Sequence, residues 1–191
     1  MIIGLIGCAR SGKDTVADYL VSRHGFQKRP IATPLKQICQ LLFDWTDEQT
    51  YGDAKDVPLP DTGIRPREIM QFVGTELFRE RIAERFPELG GNVWIDHLSR
   101  TVLQDKTKAW IIPDVRFPNE ARRIRDCGGW IIRVESSRGA TIPDNKHESE
   151  TVQSQIDPDY TLYNRADKEY LYAQIRLFLH RFDHPSSNWS A

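Results

Sequence analysis

The residues from Gly7 to Thr15 read Gly-Cys-Ala-Arg-Ser-Gly-Lys-Asp-Thr, and their types and spacing are suited to binding phosphate. Glycine lets consecutive backbone N–H groups turn inward around oxygen atoms, and a following helix points its positive end at them. Lys13 adds a charge that can reach the outer phosphates of a nucleotide. Asp14 departs from the pattern G-x-x-x-x-G-K-[ST], because it stands where a hydroxyl would ligate magnesium. Either Thr15 supplies that hydroxyl one residue later, or the Asp14 carboxylate replaces it.

The flanking segments favour a ligand site at this loop. An apolar run from Ile2 to Ile6 predicts a strand before it, and apolar residues at helical spacing follow from Val16 to Val21. A turn between strand and helix can also need glycine for a positive φ without holding any ligand. Lys13 at the start of the helix argues for the phosphate site over that simpler turn.

A second strand end carries further polar side chains. Residues 109–116 predict a buried strand of a parallel sheet, because the apolar run before Asp114 is unbroken. In open α/β sheets the ligand lies beyond the carboxyl ends of the strands. Asp114 and Arg116 should therefore project beside the glycine loop. Glu120 lies in the first turn of the helix that we predict next, with Pro118 close to its start.

Cations also occur in the middle of the chain. Lys36 begins a second predicted helix, where it is either a solvated lysine or a contact to a substrate phosphate. A helical segment over residues 65–79 supplies several guanidinium groups, of which we expect Arg67 to bind phosphate. Gly74 in that segment suits close approach by a ligand or another backbone. Trp94, in the next predicted helix, is more typical of a core residue than of a base-stacking platform.

Two segments are polar and rich in turn-forming residues. Residues 44–66 predict a long loop insertion, and such loops are usually lids or binding loops. Residues 136–150 resemble a lid in composition, and in a phosphoryl-transfer enzyme Arg138 would close onto the transferred group. An ordinary loop arginine is the equal alternative. Residues 184–191 predict a polar tail.

Composition limits the classes of function. A chain of 191 residues fits one α/β domain. Lys and Arg number 26 against 27 Asp and Glu, so no overall field draws the chain to nucleic acid or to an anionic membrane. Cys8, Cys39 and Cys127 lack metal-type spacing. Together with the lack of a leader or a membrane-length apolar run, they predict a reduced, cytoplasmic setting.

The remaining pattern completes the fold prediction. Residues 30–36 predict a short extended piece, residues 130–134 and 160–164 predict strands, and residues 167–182 predict an amphipathic closing helix. Together these segments predict a three-layer α/β/α domain with a mostly parallel sheet of about five strands.

The motifs, in this order, resemble the deoxynucleoside monophosphate kinases made by tailed bacteriophages, which have a P-loop kinase fold. The likeness runs from the first strand to the last helix, and in it Asp14 is the expected residue. One departure is at Asn164, which is followed by Arg-Ala-Asp where such kinases tend to have Asn-Asp-Gly. The most specific segments are residues 10–15, residues 32–36, Arg67 with Met70-Gln71 and Gly74-Thr75, residues 113–116 with Glu120, and residues 147–150.

The resemblance implies a role for each matching residue. ATP phosphates would be held by Ala9, Arg10, Ser11, Gly12, Lys13, Asp14 and Thr15, with Mg²⁺ at Asp14 or Thr15. The acceptor nucleotide would be bound by Lys36, Arg67, Gly74, Thr75, Trp94, Asp114, Arg116 and Glu120. Lys13, Arg116 and Arg138 would be catalytic.

The implied reaction converts ATP and a deoxynucleoside monophosphate into ADP and the diphosphate, and the family also suggests a homodimer. One alternative is another small-molecule P-loop kinase, such as one acting on dephospho-coenzyme A. The other is a regulatory or DNA-packaging module that binds ATP without a small acceptor. The second set of phosphate-binding cations, Lys36, Arg67 and Arg116, argues against that module.

Overall fold

A computed structural model describes residues 1–136 and 152–183 of the chain. The chain forms two compact units, Met1–Arg29 with Leu103–Ala191, which we call the sheet unit, and Pro30–Val102, which we call the helical unit. Arg138, most of the predicted lid and the predicted tail lie outside the described residues. In the part of the chain that the structure describes, no helix has the length and apolarity needed to cross a membrane.

The sheet unit is built on a five-stranded sheet with the strand order β2-β3-β1-β4-β5. Every neighbouring pair runs parallel, and the central strand β1 pairs with β3 on one side and β4 on the other. This confirms the predicted α/β class and the number of strands. The strands are β1 (Ile2–Ile6), β2 (Gln27–Lys28), β3 (Trp110–Ile112), β4 (Trp130–Ser136) and β5 (Tyr160–Asn164).

Helices connect the strands of the sheet unit and make up most of the helical unit. The α-helices of the described residues are α1 (Lys13–His24), α2 (Thr33–Phe43), α3 (Asp47–Thr50), α4 (Pro66–Gln71), α5 (Ile82–Arg85), α6 (Val93–Leu98), α7 (Pro118–Asp126) and α8 (Lys168–Asp183). The described residues also form 3₁₀-helices at Asp53–Asp56 and Gly90–Asn92 and π-helices at Phe72–Arg81 and Ser99–Leu103.

Side chains of β1 alternate between the two faces of the sheet, as the strand period requires. Ile3 and Leu5 pack in one core with residues of α1 and α8, including Phe178. Gly4 faces the other side, where a Cβ would lie 3.0 Å from the Cδ1 atom of Ile124 in α7. Helices therefore cover both faces, which gives the predicted three layers and explains why β1 is apolar throughout.

The helical unit has its own small core. Cys39 and Trp45 pack there with Met70 and Val73 of the α4 region. The prediction of an extended piece over residues 30–36 was wrong, because α2 begins at Thr33 with a proline in its first turn. The segment over residues 44–66 also contains more structure than its polar composition predicted, namely α3 and the 3₁₀ turn at Asp53–Asp56.

Candidate active site

The predicted phosphate loop joins β1 to α1, and its backbone conformation depends on glycine. Gly7 has a φ of 139° and Gly12 a φ of 108°, and Arg10 between them also has a positive φ of 62°. A Cβ at Gly7 would lie 2.4 Å from the carbonyl oxygen of Val134 in β4. The loop is thus pressed against the neighbouring strand, and only a residue without a side chain fits at its start.

Lys13 is the first residue of α1, and its ammonium group lies over the loop. Its Nζ atom donates to the carbonyl oxygens of Gly7 and Cys8, each at 2.7 Å. The positive end of the α1 dipole is at the same point. A bound phosphate group would offer the ammonium stronger acceptors than these carbonyls, because hydrogen bonds between charged partners are stronger than those to neutral ones.

The loop is also held from the side of β5. The Asn164 side chain donates from Nδ2 to the carbonyl oxygen of Ser11 at 3.0 Å. Ser11 itself is buried, with 3% of the residue exposed. This hydrogen bond fixes the backbone of the loop just before Gly12, so the end of β5 helps to shape the phosphate site.

Asp14 has a charged partner that the sequence did not reveal. Lys28 at the end of β2 forms ion pairs with Asp14 at 3.2 Å and with Asp18 at 3.0 Å. Burial lowers the pKa of Lys28, but its hydrogen bonds to Asp18 and Asp14 and the charge of the two carboxylates together outweigh burial, so the pKa is raised overall. Lys28 therefore stays charged and offsets the negative charge that Asp14 would offer to a cation.

The donor set near the loop suits magnesium bound together with nucleotide phosphates. Among residues 1–136 and 152–183, no three side chains of His, Cys, Asp or Glu come together as a metal site. Mg²⁺ in nucleotide sites needs only one or two protein oxygen ligands, since phosphates and water complete its shell. Thr15 and Asp14 both fit that requirement, and the ion pair with Lys28 favours Thr15.

Asp114 and Arg116 follow β3, which lies beside β1 in the sheet. The structure therefore brings this strand end and the phosphate loop to the same edge of the sheet unit, as predicted. Glu120, in the first turn of α7, is 2% exposed, and its Oε2 atom accepts from the backbone N–H of Arg116 at 2.8 Å and of Phe117 at 3.1 Å. Glu120 thus orients the backbone that carries Arg116.

In the helical unit, Lys36 lies in the first turns of α2 and faces an aromatic ring. Its Nζ atom is 4.3 Å from the ring centroid of Tyr51, which is a cation–π geometry. Burial, with a smaller effect of Asp47, raises the pKa of Tyr51. The phenol therefore stays neutral at physiological pH, and the Lys36 ammonium group faces an uncharged ring.

Arg67 is the second predicted phosphate contact in this unit, and an acidic residue holds its guanidinium group. Its Nε atom donates to Oδ1 of Asp56, and its second hydrogen bond, from NH2 to Oδ2, is 2.8 Å long. This bidentate pairing lowers the pKa of the Asp56 carboxyl below its usual value. The two hydrogen bonds from Arg67 to this carboxylate have the bidentate geometry that a guanidinium group also uses to bind a phosphate.

Gly74, Thr75 and Trp94 lie inside the helical unit. The indole N–H of Trp94 donates to the carbonyl oxygen of Gly74 at 2.9 Å, and the ring is 7% exposed. A Cβ at Gly74 would lie 2.8 Å from Cδ2 of Leu35 in α2. Thr75 is buried as well. The close approach observed at Gly74 is that of a side chain, Leu35, where a ligand or another backbone was predicted, and Trp94 supports the same segment through its hydrogen bond.

Several residues that shape these sites were absent from the predicted set. Asn164 stood out as the last residue of a strand and as the point of departure from the family pattern, but not as a residue of the phosphate loop. Asp56 and Tyr51 lie in the segment predicted as a loop. Gln153, which bridges Gly7 and Val115, carries no motif at all. A polar residue that bonds to distant main-chain groups leaves no periodic or spaced signal, so sequence patterns could not have found it.

A protein of Acanthamoeba polyphaga mimivirus, provisionally named deoxynucleotide monophosphate kinase, is 37% identical to this chain over 183 residues. The match covers 92% of this chain and 94% of the viral protein. The chain belongs to the deoxynucleotide monophosphate kinase family. The resemblance predicted from the motifs is thereby confirmed.

A phage protein and a solved structure are also similar to this chain. The deoxynucleoside-5′-monophosphate kinase of Escherichia phage T5 is 34% identical over 79 residues, 41% of this chain and 29% of the phage protein. No protein-family model matches the chain. The solved structure of shikimate kinase from Aquifex aeolicus superposes with a TM-score of 0.49 at 13% identity, over 96% of this chain and 98% of that one.

Each of the two units carries its own group of cations. The sheet unit holds the phosphate loop with Lys13, and Arg116 beyond the neighbouring strand. The helical unit holds Lys36 and Arg67, each with a partner from residues 51–56. Both groups are suited to anions, because guanidinium and ammonium groups bind phosphate oxygens through charge-assisted hydrogen bonds.

Proposed function

We propose that the protein transfers the γ-phosphoryl group of ATP to a deoxynucleoside monophosphate. An oxygen of the acceptor phosphate attacks the γ-phosphorus atom, the bond from that atom to the β–γ bridging oxygen breaks, and ADP leaves. The observation that carries the proposal is the phosphate loop between β1 and α1, with Lys13 over it and with both glycines in conformations reserved for glycine. Membership of the kinase family supports the choice of acceptor.

The physical task of such an enzyme is to bring two anions together. The γ-phosphoryl group and the acceptor phosphate repel each other, so the protein acts mainly by neutralising charge and by positioning. Lys13 would bind the outer phosphates of ATP, and Arg116 and Arg67 would bind the phosphates in transfer. Arg138, which lies outside the described residues, is proposed as a further cation at the transferred group.

The remaining loop residues would bind the nucleotide through their backbone. N–H groups from Ala9 to Thr15 would surround the phosphates at the start of α1, where the helix dipole also favours negative charge. Thr15, or Asp14 in its place, would hold Mg²⁺, which would neutralise charge on the β- and γ-phosphates.

On the acceptor side, the proposal separates contact residues from supporting ones. Lys36 and Arg67 would bind the acceptor phosphate, and Asp114 with Arg116 would orient the nucleotide. Glu120 would act through the Arg116 backbone, because its carboxylate accepts two main-chain N–H groups and is almost fully buried. Gly74 and Thr75 would shape the pocket through the π-helical segment to which they belong, and Trp94 of α6 would support that segment through its hydrogen bond to the Gly74 carbonyl oxygen.

A cytoplasmic location and the lack of a nucleic-acid partner belong to the same proposal. The free thiols of Cys8, Cys39 and Cys127 support a reducing compartment. The formal net charge of −1 supports the second point, since non-specific binding to nucleic acid depends on positive charge.

The decisive experiment is an acceptor panel in a coupled assay of ADP release. ATP and Mg²⁺ are supplied with each deoxynucleoside monophosphate, each ribonucleoside monophosphate, or dephospho-coenzyme A. We expect ADP formation that depends on a deoxynucleoside monophosphate. Turnover with dephospho-coenzyme A alone would show a different small-molecule kinase, and ATP binding without acceptor-dependent ADP would show a regulatory module.

An Arg67→Ala variant is expected to raise KM for the deoxynucleoside monophosphate about 10- to 150-fold. That range corresponds to the roughly 1.5–3 kcal/mol of hydrogen bonds to a charged group. KM for ATP should change little, because Arg67 is proposed to contact the acceptor. Initial rates measured against both substrates test this.

The matched control for Arg67 is Arg81→Ala. Arg81 lies in the π-helical continuation of the same helix and forms an exposed ion pair with Glu84 at 2.8 Å. Exposed ion pairs contribute little to stability, so the variant should keep its fold. Arg81 is not among the proposed substrate contacts, so both KM values should stay unchanged. Equal acceptor KM in Arg67→Ala and wild type would remove Arg67 from the proposed site.

A further inference from the structure

The carboxamide of Gln153 connects two segments that are far apart in the sequence. Its Oε1 atom accepts from the backbone N–H of Gly7 at 3.3 Å, and its Nε2 atom donates to the carbonyl oxygen of Val115 at 2.6 Å. The partners fix the orientation of the amide, because the N–H requires an acceptor and the carbonyl requires a donor. All three residues belong to the sheet unit.

The bridge lies where the backbone pairing of β1 and β3 has ended. Paired residues run from Ile2 with Trp110 to Gly4 with Ile112. The next residue of the β3 segment is Pro113, which has no N–H to donate. Gly7 comes directly after β1, and Val115 comes three residues after the end of β3, so both lie beyond the paired residues. The side chain of Gln153 therefore supplies a hydrogen-bond donor and an acceptor at this point, as the main chain of a neighbouring strand would.

The peptide group between Val115 and Arg116 is held at both of its polar atoms. Gln153 donates to its carbonyl oxygen, and Oε2 of Glu120 accepts from its N–H at 2.8 Å. Val115 is fully buried and Glu120 nearly so. Since a peptide group is planar, two such hydrogen bonds fix the direction in which the chain enters Arg116.

We infer that Gln153 is a positioning residue that sets the distance between the phosphate loop and Arg116. The inference rests on the proposed phosphoryl transfer, in which Lys13 and Arg116 act on neighbouring phosphates. The two hydrogen bonds of Gln153 to the described residues Gly7 and Val115 are both made with main-chain atoms. In transfer reactions a misplacement of about 1 Å can cost about 100-fold in rate. A residue that fixes this spacing therefore affects turnover more than substrate binding.

The test compares Gln153→Leu and Gln153→Glu with wild type. Leucine fills similar space and removes both hydrogen bonds, so kcat should fall about 10- to 100-fold while both KM values stay within about threefold. Thermal unfolding, measured in parallel, shows whether the variant retains the fold. A kcat within twofold of wild type in a folded Gln153→Leu variant would overturn the inference.

The glutamate variant gives a readout that a loss of stability alone would not produce. An ionised carboxylate can accept from Gly7 but repels the Val115 carbonyl, whereas a protonated one can donate to it. The ratio of variant to wild-type kcat should therefore rise about tenfold from pH 8 to pH 5, as the carboxyl becomes protonated. Division by the wild-type rate cancels the pH dependence that wild type shares with the variant, including that of the charged groups on the bridged segments, which are Arg10, Lys13, Asp14, Asp114, Arg116 and Glu120.

Gln155→Glu is the matched control, because it adds the same charge at an exposed position two residues away. Its ratio to wild type should not depend on pH. A flat ratio for Gln153→Glu as well would overturn the inference. If wild type shows no acceptor-dependent ADP formation, the proposed function fails instead, and the bridge is tested without substrates. Amide hydrogen exchange at Gly7 should then speed up at least about tenfold in Gln153→Leu, and unchanged exchange would overturn the bridge itself.

Discussion

The Lys13→Ala variant is expected to lose about 100- to 1,000-fold in kcat while keeping its fold. This is the usual cost of removing one preorganised group that stabilises charge in a transition state. The ammonium lies at the start of α1 and donates to two carbonyl oxygens of the loop. In the proposed reaction it exchanges these neutral acceptors for phosphate oxygens, whose charge grows as ADP leaves. Alanine can make neither contact.

Steady-state kinetics with ATP and the best deoxynucleoside monophosphate measure this loss, and circular dichroism with thermal unfolding checks the fold. Lys106→Ala is the matched control, because it removes an exposed lysine elsewhere in the sheet unit. A loss confined to KM for ATP would mean that Lys13 binds ground state and transition state equally. An unchanged kcat would exclude Lys13 from catalysis.

The sheet unit could be predicted because its signals are local. The unbroken apolar run of β1, the glycines after it and the helical spacing beyond Lys13 lie within about 20 residues, and each feature agrees with the others. Parallel pairing then places the carboxyl ends of β1 and β3 at one edge, so the position of Asp114 and Arg116 followed from strand assignment alone.

In the helical unit, it could not be predicted in the same way which side of each helix is buried. Leu41 and Leu42 fit the apolar spacing of α2, yet they are 85% and 67% exposed, and Cys39 is the residue that the helix buries. In the region predicted as one α-helix, Phe72 and Leu77 are also exposed. The backbone there is π-helical, with hydrogen bonds from i to i+5, so residues spaced for an α-helix no longer share a face.

Sequence motifs gave candidate site residues, whose roles stay predictions, but did not give the contacts that support them. Arg67 was selected as a phosphate contact from the sequence, whereas its observed partner Asp56 lies 11 residues earlier in a segment without periodicity. Asn164 and Gln153 hold the phosphate loop from 153 and 146 residues away. Contacts between residues so far apart in the chain form only in the assembled sheet. A single sequence shows that a residue is polar but does not show which residue it contacts.

The Gly7→Ala variant is expected to lose about 2–6 kcal/mol of unfolding free energy and with it measurable ATP binding. A backbone held at an unfavourable φ costs a residue with a side chain about 1–3 kcal/mol, and overpacking of a close contact adds about 1–3 kcal/mol. Both apply here, because Gly7 has a φ of 139° and a Cβ would meet the Val134 carbonyl oxygen at 2.4 Å. Proteins have only about 5–15 kcal/mol of stability, so this loss is severe.

Gly25→Ala separates the two causes. Gly25 ends α1 with a φ of 71°, and a Cβ there would meet nothing within 4 Å, so only the backbone cost of about 1–2 kcal/mol remains. Urea unfolding and calorimetric titration with ATP compare the two variants. Because the Val134 carbonyl oxygen is a main-chain atom of β4, where Val134 pairs with Leu162 of β5, it cannot move aside as a side chain would. Equal destabilisation by the two substitutions would therefore mean that the loop does not lie against β4, and the phosphate site would need a different geometry.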